Sequence, residues 1–133
     1  MATFTSSQLD SLSRFYRGNL INGLTGSKPA LLIGTRSVSG TTNLALFSNV
    51  IHLGANPALI GLLQRPLTEQ SHTYRNIMES GYFTVSHIKN EWIDRAHQTS
   101  AKYADGESEF LYCGFQEEYH EGFFAPHVNG SSI

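Results

Sequence analysis

The chain has 133 residues, 40% of them hydrophobic and 15% charged, which fits one soluble globular domain able to bury a core without disulfides or metals. Nine basic against eleven acidic residues give a formal net charge of -2, which excludes the basic stripe of a broad nucleic-acid surface but not a site for one phosphate. The single cysteine, Cys113, excludes an internal disulfide and a Cys-rich zinc site, and reads as a small buried side chain. The first ten residues lack a basic segment followed by an apolar one, and no apolar run approaches the ~18 residues of a membrane span. A reducing cytoplasm is the expected compartment, with neither nucleic acid nor membrane as a partner.

Leu9, Leu12, Phe15, Tyr16 and Leu20 recur at helical spacing and predict a helix over 6–21, opened by a weak Ser7/Asp10 capping box and ended by Gly23 and Gly26. Ala30 to Thr35 is apolar on both faces, as a buried barrel strand is. A polar turn around Gly40 leads into a second strand, Asn43 to Ser48, which Val50 to Leu53 continues or follows. Gly54-Ala55-Asn56-Pro57 is a turn, and Ala58 to Leu63 a strand stopped by Arg65-Pro66. Residues 68–79 predict a helix with Tyr74, Ile77 and Met78 on one face and Gly81 as its stop. Tyr82 to Ser86 alternates as a strand does, 91–97 suggests a short helix, and 98–108 a loop. Phe110 to Tyr112 is expected to be a short strand and the remainder irregular. Strands in close succession favour a mainly antiparallel sheet or barrel over a doubly wound parallel sheet.

Three segments concentrate hydrogen-bonding groups. Ser39 to Ser48 clusters hydroxyls and an amide around Gly40, a composition that turns also favour for backbone reasons alone. Gln64-Arg65-Pro66 with Ser71 to Asn76 places an arginine at a strand end and a threonine, Thr73, in the first half of a helix. Arginine and helix N-termini are both natural partners of phosphate, although most arginines are simply solvated. Ala96 to Tyr103 brings His97, Thr99 and Ser100 into one stretch, followed by Ser108-Glu109-Phe110. The six histidines have no metal-ligand spacing, so no metal is expected. G-x-G-x-x-G, P-loop and G-x-S-x-G signatures are absent.

Taken in order, these pieces resemble the flavin reductase-like family. The likeness runs through Asn19 to Gly26 with Lys28-Pro29, then Leu32 to Thr35, Gly40 to Ser48, His52 to Pro57 and Arg65-Pro66. It continues through Thr73 to Ile77, Gly81 to Val85, Ala96 to Tyr103, Ser108 to Phe110 and Phe124 to Pro126. The resemblance implies a mainly β fold with peripheral helices, a Greek-key split β-barrel that binds flavin mononucleotide (FMN). It implies one domain over 1–133 and a homodimer with FMN near the subunit interface. Thr41, Asn43, Leu44, Ala45, Ser48, Arg65, Thr73, His97, Thr99 and Ser100 are the implied FMN contacts. Amides near Leu44 and Ala45 would serve the ring's carbonyl edge, and Arg65 with Thr99-Ser100 the phosphate.

The implied activity is hydride transfer from NAD(P)H to flavin, with a monooxygenase component as a further partner and no catalytic side chain required. An FMN-binding electron carrier without nicotinamide turnover, and a non-catalytic dimerising remnant, are the alternatives. Members of the family carry further strands after the Ala-Pro segment, so these C-terminal strands are expected to be absent here.

Overall fold

A computed structural model describes residues 3–64 and 71–132, so Arg65 and Pro66 lie outside the described residues. The amino end forms two helices, α1 (Ser6–Ser11) and α2 (Arg14–Leu24), where one was expected. The break has a local cause. Leu12 is extended, and Ser13 caps a new helix by accepting the Tyr16 N–H at 3.4 Å. The capping box at the start uses Thr5 and Gln8, ahead of the expected Ser7/Asp10 pair. The apolar residues of α2 do not enter the core: Phe15 is 84% exposed and Leu24 72%.

The centre is a three-stranded antiparallel sheet in the order β2-β1-β5, made of β1 (Leu31–Arg36), β2 (Thr42–Phe47) and β5 (Thr84–His87). In β1, Leu32 to Thr35 are all buried, because a middle strand covered on both faces must be. Gly34 is required there. A Cβ on it would overlap the Pro126 carbonyl oxygen and the Thr84 hydroxyl, which meet over this strand at 2.5 Å. β3 (Val50–Ala55) and β4 (Ala58–Leu62) form a separate hairpin around the expected turn. β6 (Glu117–Glu118) and β7 (His127–Val128) pair in a region expected to be irregular.

Helix α3 (His72–Ser80) ends at Gly81, which takes the left-handed conformation (φ 77°) that glycine accepts without strain. Its buried face is not the expected one: polar Thr73 and Asn76 point inward, while Met78 is 67% exposed. A 3-10 turn (Asn90–Trp92) runs into α4 (Ile93–Gln98). The expected strand Phe110–Tyr112 is instead a one-turn helix, α5 (Glu109–Tyr112). Its i to i+4 bonds decide the matter: Tyr112 N–H to Ser108 O at 3.1 Å and Cys113 N–H to Glu109 O at 2.9 Å.

Leu32, Leu44, Ala96, Phe110, Cys113, Phe115 and Val128 form the core between the sheet, α4, α5 and the carboxyl-terminal segment. The pairings described are all antiparallel, as expected, but strands and helices are mixed rather than mainly β, and the sheets do not close on one another. No described helix is long and apolar enough to cross a membrane.

Candidate functional site

β2 is an edge strand, and its odd-numbered residues share one face. Three adjoining clefts follow that face. The largest, about 670 Å³, is lined by Asn43, Ala45 and Phe47 of β2 together with Ser71, Thr73, Thr99, Lys102 and Glu109. A second, about 460 Å³, meets it at Asn43 and His72 and includes Thr41. A third, about 370 Å³, meets it at Phe47 and includes Ser48 and Ser100.

The floor of the main cleft is tied together by a buried amide network. Asn43 Nδ2 donates to Thr73 Oγ1 at 2.9 Å and to Thr35 Oγ1 at 3.3 Å, and Asn76 Nδ2 donates to the same Thr35 oxygen at 3.1 Å. β1, β2 and α3 are thereby joined through side chains alone. Asn76 Oδ1 is buried with no partner in this arrangement.

One wall is the start of α3. Ser71, His72 and Thr73 all line the cleft, Ser71 caps the helix, and its first turn carries no acid. The positive end of the helix dipole therefore faces the cleft, with Arg14 and Lys102 as cations in the same lining. Asp105 bridges this wall to the loop after α4, accepting from Arg75 Nη2 at 2.8 Å and His72 Nε2 at 2.9 Å. The Arg75 hydrogen bond and charge hold the Asp105 carboxyl below the usual carboxylate range.

Against β2, Glu109 of α5 is the carboxyl of the main cleft. It is 5% exposed, and its Oε2 accepts the Leu44 N–H at 3.0 Å. Burial pushes its pKa above the ordinary glutamate value, with the Leu44 bond opposing that rise. This bond corrects the expectation that the Leu44 amide is open to a ligand's rim. By strand alternation the Ala45 N–H faces β1, so it is not open either.

The remaining predicted residues are distributed unevenly. Leu44 is a core side chain. Thr99 lines the main cleft, but its hydroxyl donates to Ala96 O at 2.8 Å, closing its own helix end. Ser100 opens on the third cleft, and His97 is exposed on α4 and lines none of these clefts. Glu109, Lys102 and Arg14 were not among the predicted contacts. Lys102 belonged to the third donor-rich segment, whereas nothing in the sequence marks a glutamate as buried.

A family model, the flavin reductase like domain, matches residues 26–133. The chain belongs to that family. An uncharacterised protein of Halalkalibacterium halodurans is 32% identical over 126 residues, which is 93% of this chain and 60% of that protein. A structure from Shewanella frigidimarina, assigned as a flavin reductase with a split barrel domain, superposes with a TM-score of 0.92 at 44% identity. The match covers 98% of this chain and 65% of that one. Nitrilotriacetate monooxygenase component B of Bacillus cereus shares the fold, with a TM-score of 0.83 at 23% identity over 98% of this chain and 64% of its own. The fold of this flavin reductase-like chain is thus that of the split-barrel flavin reductases, and the chain spans about two-thirds or less of each relative.

Proposed function

We propose that the chain binds FMN in the main cleft and works as an NAD(P)H:flavin oxidoreductase. The observation that carries this reading is the pairing, in one cleft, of an anion-ready helix start and cations with a strand face ending in an aromatic ring, Phe47. The cleft volume lies within the roughly 300–1,000 Å³ of small-molecule sites, and the donor set suits a phosphate-bearing heterocycle. When bound, FMN supplies the hydride-accepting chemistry.

The protein's part is to hold and orient. Thr41, Asn43, Ala45 and Ser48 make the wall along β2, with the Leu44 side chain packed behind it. Asn43 Oδ1 is an acceptor for an imide N–H, since its Nδ2 is engaged within the protein. Thr73, at the first turn of α3, and Lys102 hold the phosphate from one side. Arg65 adds a cation to that grip and Ser100 a hydroxyl from the adjoining third cleft, while Thr99 lines the main cleft with its own hydroxyl held by Ala96 O and His97 stands outside these clefts. A second copy of the chain covers the exposed apolar face of the β3–β4 hairpin, and a monooxygenase component consumes the reduced flavin.

The test uses two ligands. Lys102→Ala is expected to weaken FMN by roughly tenfold to a hundredfold, the loss of about 1.5–3 kcal/mol of charge-assisted bonding, and to leave riboflavin nearly unchanged. Equal weakening of both would move Lys102 to the ring or to folding. Arg65→Ala in the same pair of titrations ranks the two cations. Consumption of NADH or NADPH by the FMN-loaded protein separates the oxidoreductase from a flavin-binding electron carrier.

A further inference from the structure

Glu109 is placed oddly for a carboxylate. It is almost fully buried, it lines the cleft beside Asn43 and Ala45, and it receives one backbone donor from β2. A purely structural anchor for the Leu44 N–H needs no charge. A serine or glutamine would serve without the cost of burying an ion. We propose that Glu109 sets how tightly the reduced form of the bound flavin is held relative to the oxidised form, by taking up a proton as negative charge arrives on the ring. The inference rests on the FMN reading above.

The balance is as follows. A hydride leaves the C–H bond of the reduced nicotinamide and brings two electrons and one proton to the ring, which becomes anionic. Glu109 then takes a second proton from solvent on its carboxylate, so the cleft gains no net charge. Burial has already raised the affinity of Glu109 for that proton. His72 at the start of α3 and Tyr103 on the loop after α4 interact with its charge, and Lys102 and Arg14 of α2 share the same lining. His72 is paired with Asp105, and Glu117, the other acid at the β2 edge, accepts from Thr42 Oγ1 at 2.6 Å outside the cleft lining, which leaves Glu109 as the acid of the main cleft.

The experiment measures dissociation constants for oxidised FMN and for dithionite-reduced FMN, across pH, for the parent chain and Glu109→Gln. The substituted amide keeps an oxygen for the Leu44 N–H and loses the charge. At neutral pH, E109Q is expected to favour reduced over oxidised FMN by on the order of tenfold relative to the parent, the scale of two charges facing across such a cleft. The reduced-to-oxidised ratio should also depend less on pH in the variant. A second measurement needs no variant: the reduced-minus-oxidised infrared spectrum of the parent should show a protonated carboxyl appearing. Equal ratios in parent and variant, or no carboxyl band, overturn the proposal and leave the FMN reading standing. A parent chain that binds neither form of FMN overturns both.

Discussion

Two buried polar side chains carry opposite consequences. Asn43 joins β2 to β1 and α3 with two hydrogen bonds from one amide. Asn43→Ala removes both, taking the described donor from Thr73 and leaving Thr35 with Asn76 alone, so we expect a loss of about 1–3 kcal/mol, read from the urea midpoint. An unchanged midpoint would mean that the network is replaced by water at no cost. For Glu109, the folded-state pKa is raised, so its favourable contribution is present below the unfolded-state pKa and fades as pH rises through the folded value. Glu109→Gln should therefore match the parent in acid and exceed its stability at neutral pH. Thermal melts at several pH values check this, and a pH-independent difference would contradict it. Asp105 has the reverse sign, its contribution fading as pH falls through its lowered value, but as an exposed group it weighs little.

Among the elements, the strands of the central sheet and the hairpin were readable to within a residue or two, because β1 and β2 carry continuous apolar runs and the hairpin has an unmistakable turn. The failures have physical reasons. Phe110-Leu111-Tyr112 has strand-forming side chains, yet only Phe110 is buried, and one turn of helix achieves that while Leu111 faces out. In α3 the apolar stripe was legible and its direction was not, since the helix meets the sheet through Thr73 and Asn76. The β2 wall of the candidate site could be read from the resemblance. The buried state of Glu109 could not, because glutamate is ordinarily exposed. Gly34 offers a test at this scale. Gly34→Ala forces a methyl against the Pro126 carbonyl and should cost about 1–3 kcal/mol through overpacking, visible as a lowered melting temperature. A neutral result would show that the carboxyl-terminal segment can move off the sheet freely.

At the scale of the whole molecule, the proposed second copy has apolar surface to cover among the described residues. Leu53, Leu59, Ile60 and Leu63 of the hairpin region are each at least half exposed, and Phe15 and Leu24 of α2 more so. Light scattering is expected to return twice the 14.7 kDa chain mass at working concentration, and Ile60→Lys should shift it toward one chain. A single-chain mass for the parent would contradict the dimer. The sheet has a second property at this scale, in the order of its assembly. The Pro126 carbonyl locks over Gly34 and Thr84, and the Val128 amide bonds to Ser86 Oγ at 3.1 Å, so β1 and β5 are closed by residues far along the chain from β1. A ribosome emits those residues long after the strand they cover. On a nascent chain the cover over β1 and β5 therefore closes only once Pro126 and Val128 have emerged.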